Sequence, residues 1–201
     1  VLLSMDSLTR FAMAQREIGL AAGEPPTTKG YPPSVFALLA GLLERTGTHD
    51  GPGSITGFYT VLVEGDDVND PIADAIRAIV DGHIILSRGI AEKGTYPAVD
   101  LLSSTSRVMV DVVGEKHLKL NQIMRRTLAT YREAEDLINI GAYVKGSNPE
   151  IDYAITKKPL IQKFIQQGMN EHTDLKECEE HILQIFGDRL EEDTTPEGNS
   201  A

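Results

Sequence analysis

The chain has 201 residues, of which 41% are hydrophobic and 24% charged, and its formal net charge is −11. This length suffices for one good core and a small second one, while the acidic balance argues against a nucleic-acid surface, which needs clustered Lys and Arg. The single Cys178 excludes a disulfide framework and is typical of a reducing cytosol. The sequence contains no apolar run of about 18 residues, the length that a membrane-spanning helix needs.

The first 113 residues alternate short apolar runs with amphipathic stretches, which predicts an α/β domain. Asp70-Pro71 is a good helix start, since Asp can cap a helix and Pro suits its first turn. The predicted elements in chain order are a buried strand ending at Asp6, helices over Ser7–Ala22 and Ser34–Arg45, a strand over Ile55–Val63, a helix from Asp70 to about Val80, and a buried strand over His83–Ser87.

From Gly114 onward the pattern is helical only. Apolar residues recur at helical spacing over residues 115–141, and further helices are predicted over 149–167 and 175–186. We therefore expect an all-helical domain over residues 114–187. Residues 188–201 are acidic and offer little to bury, which predicts a disordered acidic tail.

The mostly apolar run Val1–Met5 stops on a carboxylate, Asp6, before a predicted helix. This pattern is typical of the Walker B strand, which places an acid at the carboxyl edge of a sheet near bound Mg²⁺. The alternative is that Asp6 caps the following helix. The partner motif G-x-x-x-x-G-K-[ST] is absent from all 201 residues, so we expect the chain to be the carboxyl-terminal piece of an ATPase, beginning at the Walker B strand.

Three segments carry a specific family resemblance. They are SLTRFAMAQREIGLA at residues 7–21, GEPPTTKGYPPS at 23–34 and YTVLVEGDDVNDP at 59–71. Together they resemble the flagellar and type III secretion export ATPases, which are related to the catalytic subunits of rotary F- and V-type ATPases. The resemblance covers residues 1–187, and residues 27–29 and 90–96 look more flagellar than virulence-type.

The resemblance implies the carboxyl-terminal part of a RecA-like P-loop ATPase core followed by a helical domain. Asp6 matches the acid that orients a water on Mg²⁺ bound to ATP. Arg107 matches the arginine finger that reaches the γ-phosphate held by a neighbouring subunit, although a lone Arg after a polar run is often a surface ion pair. Tyr96 matches the aromatic that packs on adenine, with core packing as the alternative. A second adenine contact is expected at Gln167 and Met169, where Met169 stands in place of a frequent Phe.

Partner contacts are expected in two loops. The acidic loop of Glu64, Asp66 and Asp67 resembles the loop by which ring subunits grip a central stalk, and the alternative is a solvated loop before a capped helix. The loop with Lys145 and Glu150 lies where relatives place a stalk-contacting helix-loop-helix, although their acidic motif is not reproduced there.

The predicted function is that of an ATP-hydrolysing subunit of the flagellar export apparatus, working with ATP and Mg²⁺ as a homohexameric ring. Its expected partners are stalk, regulator and chaperone proteins but no nucleic acid, and its expected place is cytoplasmic, peripheral to the inner membrane at the export gate. The isolated chain is expected to be inactive. The alternatives are a virulence type III secretion ATPase, an F/V-type catalytic subunit or, in another class, a non-catalytic assembly or chaperone-docking module.

Overall fold

The computed structural model describes residues 1–48, 50–67 and 69–194. These residues form two compact units, one of residues 1–83 and one that begins at Ile84. The division falls earlier in the chain than the boundary predicted near residue 113. Among the described helices, none combines the length and apolar character that crossing a membrane requires.

The first unit contains a three-stranded sheet and three helices. Its elements are β1 (Leu2–Met5), α1 (Leu8–Ala21), α2 (Pro33–Leu43), β2 (Gly47–Thr48), β3 (Ser54–Tyr59), α3 (Pro71–Ile79) and β4 (Gly82–His83), with short 3-10 turns at Thr28–Gly30 and Glu64–Asp66. The strand order is β1-β3-β2. β1 runs parallel to β3, with Leu2 opposite Thr56, and β2 runs antiparallel to β3.

The core of the first unit lies where the three helices meet. Its buried members on each helix recur four residues apart, which is the spacing that places side chains on one helix face, and Tyr31 joins them from the loop before α2. They are Leu8, Ala12, Tyr31, Val35, Leu39, Leu43, Ile72 and Ile76. α3 begins as predicted, because the Asp70 carboxylate accepts hydrogen bonds from the main-chain N–H groups of Ile72 and Ala73, both at 3.0 Å.

The prediction that β1 is buried is wrong for one of its two faces. Leu3 and Met5 are half-buried, and Met5 packs against the core of the first unit. Leu2 is 71% exposed and Ser4 is exposed as well. Alternate residues of a strand point to opposite sides, so the helices cover only the Leu3–Met5 face of this strand.

The second unit is built on long helices. Its elements are α4 (Arg88–Glu92), β5 (Thr105–Ser106), α5 (Met109–Val112), α6 (Glu115–Asn139), α7 (Pro149–Ile165) and α8 (Leu175–Thr194). The last three helices share a core of buried side chains. These are Leu120, Ile123, Met124, Ile161, Ile182 and Phe186, with Leu101 and Phe164 packed against them.

The strand predicted over His83–Ser87 is mostly absent. Within this region, regular strand is limited to Gly82–His83, and Leu86 forms an isolated antiparallel bridge with Val99. Leu86 is 68% exposed, so this residue is not buried as predicted. Main-chain groups here are satisfied irregularly: the N–H of Ile85 donates to the Ser104 hydroxyl at 2.9 Å instead of to a strand carbonyl. Two main-chain hydrogen bonds still pair this run with residues 98–100, from the N–H of Ser87 to the Ala98 carbonyl and from the N–H of Asp100 to the Ile85 carbonyl, both at 2.8 Å. The run therefore pairs over a short stretch instead of forming the predicted buried strand.

The acidic tail was predicted to begin at residue 188, but α8 continues to Thr194. The Asp188 carboxylate lies 2.9 Å from the Lys157 ammonium, and Arg189 bonds to Glu150 at 2.8 Å. Leu190 also packs against the helical core. These contacts stabilise the end of α8. The prediction of a disordered tail is therefore wrong for residues 188–194. Residues 195–201 lie outside the described part of the chain.

Candidate nucleotide site

Asp6 lies directly after β1, beside the carboxyl end of β3. The two strands are parallel, so their carboxyl ends meet at one edge of the sheet. The hydroxyl of Thr60, the residue after β3, donates a 2.6 Å hydrogen bond to Asp6 Oδ1. Asp6 remains exposed. The result is an accessible carboxylate whose orientation is set by a threonine on the neighbouring strand end.

Asp6 is not the helix cap, which rules out the alternative interpretation of this residue. The N-cap of α1 is Ser7, whose hydroxyl accepts a 3.3 Å hydrogen bond from the N–H of Arg10. Thr9 then ties α1 to the chain beyond β3, because its hydroxyl accepts from the N–H of Leu62 at 2.8 Å. Sequence reasoning missed Thr60 and Thr9. A polar residue directly after a predicted strand is the signal that could have identified Thr60.

The structure brings Tyr96 and Gln167 together within the second unit. The main-chain N–H of Gln167 donates to the carbonyl oxygen of Tyr96 at 3.0 Å. Gln166 adds a 3.5 Å side-chain contact to the hydroxyl of Thr95. Tyr96 is 60% exposed and Met169 is fully exposed. Phe164, in contrast, packs on the helical core, as the sequence suggested.

The turn that carries Met169 is held by Glu171. Its carboxylate accepts from the N–H of Gly168 at 2.8 Å, and its carbonyl accepts from the Gln167 side chain at 3.1 Å. This local closure presents Met169 to solvent on the segment bonded to Tyr96. An exposed aromatic residue and an exposed, flexible apolar side chain are the kinds of group that can pack on a planar heteroaromatic base.

Arg107 is exposed and directly follows β5. The turn before it is organised by Asp100, whose carboxylate accepts from the N–H groups of Leu102 and Ser103 at 3.0 and 3.3 Å. Partial burial raises the pKa of Asp100, but hydrogen bonds from Arg132 and Ser103 outweigh it and leave the pKa below its usual value. Asp100 is therefore a stable anion at neutral pH.

Each of the two predicted partner loops has a carboxylate engaged in an ion pair. Asp67 pairs with Lys29 at 2.5 Å, and this bond lowers the pKa of the Asp67 carboxyl. Glu64 and Asp66 lie in the 3-10 turn, with Asp66 in the left-handed region at φ 57°. Glu150 pairs with Arg189 at the start of α7.

Lys145 is exposed on a closed loop between α6 and α7. The carboxylate of Asp152 accepts from the N–H of Gly146 at 2.8 Å and from the Tyr143 hydroxyl at 3.0 Å. Asn148 caps α7 by accepting from two main-chain N–H groups. These bonds give the loop a defined shape, which an ordinary solvated linker would not need.

Two family models together match most of the chain. Residues 1–106 match the ATP synthase alpha/beta family, nucleotide-binding domain, and residues 113–184 match the T3SS EscN ATPase C-terminal domain. The chain is 56% identical over 187 residues to a flagellum-specific ATP synthase of Bacillus subtilis, covering 93% of this chain and 42% of that protein. It is 54% identical over 177 residues to a type 3 secretion system ATPase of Sinorhizobium fredii, covering 88% and 39%.

Solved structures give the same result for the fold. The assembled ATPase EscN from the enteropathogenic E. coli type III secretion system matches with a TM-score of 0.89 and 49% identity, covering 92% of this chain and 45% of that one. EscN in complex with its central stalk EscO matches with a TM-score of 0.82 and 46% identity, covering 92% and 44%. The chain thus spans less than half the length of these relatives.

The comparisons confirm the predicted resemblance and the fold class, part of a RecA-like core followed by a helical domain. The roles of Asp6, Tyr96, Arg107, Gln167 and Met169 stay predictions. Since the nucleotide-binding-domain model matches more than half of its residues, the chain belongs to the ATP synthase alpha/beta family.

Proposed function

We propose that this chain works as the carboxyl-terminal part of an ATP-hydrolysing subunit of a flagellar protein export apparatus. The observation that supports this most directly is the exposed Asp6 carboxylate held by Thr60 at the carboxyl edge of a parallel strand pair. The similarity to a flagellum-specific ATP synthase of Bacillus subtilis supports the flagellar assignment. Below, the full-length protein means the longer protein of which this chain is proposed to be a part.

Asp6 fits the role of an acid beside a magnesium ion. Its Oδ1 is occupied by the Thr60 hydroxyl, and the exposed carboxylate can still accept from water, as suits an indirect metal contact. When bound, Mg²⁺–ATP supplies the transferable phosphoryl group and a cation that neutralises charge on the phosphate oxygens. Asp6 would hold and orient a water of the metal's shell, and Thr60 would keep the carboxylate in place.

Within the second unit, Tyr96, Gln167 and Met169 fit the adenine side of a nucleotide site. The hydrogen bond from Gln167 to the Tyr96 carbonyl holds the two segments together, while Tyr96 stays exposed. Its ring can stack on a base without forming hydrogen bonds to the donors and acceptors at the edge of the base. The role of these residues is to bind and orient the nucleotide.

Arg107 would complete a neighbouring subunit's site in a homohexameric ring. A guanidinium acting from the adjacent subunit stabilises charge on the phosphoryl group and increases the rate by about 10³–10⁵ in other NTPases. The assembled form of EscN, to which the chain is similar over 92% of its length, supports ring formation. An exposed Arg after a two-residue strand is placed suitably for contact with another subunit.

We further propose a stalk protein as partner, with chaperone and regulator proteins of the export apparatus, at the cytoplasmic side of the inner membrane. EscN forms a complex with its central stalk EscO, which supports the stalk assignment. Glu64, Asp66 and Asp67 in one loop, and Lys145 and Glu150 in the other, are the proposed contact residues.

The test is ATP turnover by the full-length protein carrying Asp6→Asn. Asn can still accept from Thr60 but lacks the negative charge, so kcat should fall by about a hundredfold or more. The matched control is Asp74→Asn, an exposed carboxylate on α3 that pairs with Arg77 and should leave turnover nearly unchanged. Turnover of the Asp6→Asn protein close to that of the parent would refute the proposed function.

A further inference from the structure

Arg125 on α6 binds the turn that precedes Arg107. Its Nη1 donates to the carbonyl oxygens of Leu101 at 2.6 Å and Ser104 at 3.1 Å, and its Nη2 donates to the carbonyl of Leu102 at 3.0 Å. One half-buried guanidinium thus satisfies three main-chain acceptors within four consecutive residues.

This contact needs arginine rather than a generic cation. The guanidinium is planar and presents several N–H donors in a fixed fork, whereas the ammonium of lysine is a compact point charge on a flexible stem. The acceptors are neutral carbonyls, so the interaction orders the turn by geometry more than by charge pairing. A surface ion pair would not show this pattern.

The same face of α6 also contacts the chain after Arg107. Asn121, one turn before Arg125, donates through Nδ2 to the sulfur of Met109 at 3.2 Å. Further along the helix, Arg132 pairs with Asp100 at 3.0 Å. α6 therefore holds the chain both before and after Arg107 with polar side chains.

We propose that Arg125 is a positioning residue for Arg107. This inference rests on the proposed function, in which Arg107 stabilises the phosphoryl group bound to a neighbouring subunit. By anchoring residues 101–104 to a long helix, Arg125 sets where β5 begins and hence where the Arg107 side chain starts. A helical domain that moves would carry the finger with it, which couples α6 to the neighbouring nucleotide site.

Geometry explains the expected size of the effect. A displacement of about 1 Å at a catalytic group can cost roughly a hundredfold in rate even when the change lies away from the chemistry. ATP binding by the same subunit does not involve Arg107, so its KM should be little affected. The inferred role therefore predicts a loss in kcat that is separate from any loss in KM.

The experiment measures kcat and KM of the full-length protein for Arg125→Met, Arg107→Ala and the double variant. Arg125→Met alone should lower kcat by about tenfold to a hundredfold while KM changes by less than about threefold. In the Arg107→Ala background the same substitution should lower kcat by less than about twofold, because the positioned group is already gone. Arg126→Met, the exposed neighbour on α6, is the matched control and should leave turnover unchanged.

Two further variants keep the inference testable if Arg125→Met folds poorly. Arg125→Lys keeps the charge but not the fork and should give a smaller loss in kcat with the same dependence on Arg107. Asn121→Ala removes the contact on the other side of the finger and should behave likewise. Amide hydrogen exchange at residues 102–104 should quicken in the Arg125 variants while the buried turns around Phe186 stay protected.

Three results overturn the inference. One is turnover of Arg125→Met within about twofold of the parent. Another is an equal loss of kcat on Arg125→Met in the presence and absence of the Arg107 side chain, which would mean that Arg125 does not act through Arg107. The last is normal turnover of Arg107→Ala, which refutes the finger assignment and this inference with it. A normal Arg107→Ala alongside an inactive Asp6→Asn would leave the ATPase function itself standing.

Discussion

The main-chain N–H of Gln167 donates a 3.0 Å hydrogen bond to the carbonyl oxygen of Tyr96. The bond joins the segment after α7 to the segment after α4, which are distant in sequence. Main-chain bonds of this kind survive most side-chain substitutions, because neither partner depends on the residue type. The side chains of Tyr96 and Met169 can therefore be changed without separating the two segments.

Tyr96→Ala in the full-length protein should weaken ATP binding. Stacking of a base on an aromatic side chain is worth about 1–3 kcal/mol by alanine substitution, roughly a fivefold to hundredfold change in affinity. KM for ATP should rise by that range with a smaller change in kcat. Tyr96→Phe is the control, because it keeps the ring and removes only the hydroxyl. A similar rise in KM for the Tyr96→Phe and Tyr96→Ala proteins would show that the aromatic ring does not contact the base.

The isolated 201-residue chain should neither hydrolyse ATP nor bind it tightly. It lacks the G-x-x-x-x-G-K-[ST] motif, whose main-chain N–H groups and lysine supply most phosphate contacts in this kind of site. Titration calorimetry with Mg²⁺ and ATP is the direct measurement. A dissociation constant in the micromolar range would contradict the prediction and would mean that this chain binds nucleotide without that motif.

Asp100→Asn should destabilise the chain in a pH-dependent way. Because the pKa of Asp100 is lowered in the folded state, its ionised form contributes stability above the unfolded value, about pH 3.9. That contribution is lost as the pH falls through the lowered pKa. The difference in unfolding free energy between parent and variant should therefore be constant near pH 7 and shrink below about pH 4.

Urea unfolding at a series of pH values measures this difference. Asp111→Asn, an exposed carboxylate on α5, is the control and should leave the stability at pH 7 little changed. If the difference in unfolding free energy between the parent and Asp100→Asn stays the same from neutral to acid pH, the contact with Arg132 does not act through the carboxylate charge.

Lys145→Glu should weaken binding of a stalk protein to the full-length protein. Lys145 is exposed on a loop shaped by Asp152, and an exposed charge contact is worth about 0.2–1 kcal/mol, so the affinity should fall by a few-fold at low salt and by less at high salt. Surface-based binding measurements at two salt concentrations can resolve this. Lys176→Glu on α8, at another exposed lysine, is the control.

The tail offers a second comparison for the same partner. Truncation after residue 194 leaves α8 and its contacts through Asp188 and Arg189 in place. Binding to the stalk should be retained after this truncation. Binding that depends on residues 195–201 and tolerates Lys145→Glu would contradict the assignment of the loop.

Local signals in the sequence determined most of the helices. Asp70-Pro71 specified the start of α3, and Gly23, with a φ of 88°, follows the end of α1 as a residue free to adopt the left-handed conformation. Such signals act between residues close in sequence, so they need no knowledge of the fold. The carboxylate at the end of β1 was recognisable for the same reason.

Contacts between distant residues were beyond the sequence. Whether Leu2 is buried depends on which face of β1 the helices cover, and whether α8 continues past residue 187 depends on Lys157 and Glu150 on another helix. Likewise, Arg125 in a helical pattern gives no sign that its guanidinium donates to three carbonyls before Arg107. Helix propensity and capping are local energies that a sequence displays directly, whereas burial and hydrogen-bond pairing are set by neighbours that only the folded chain brings together.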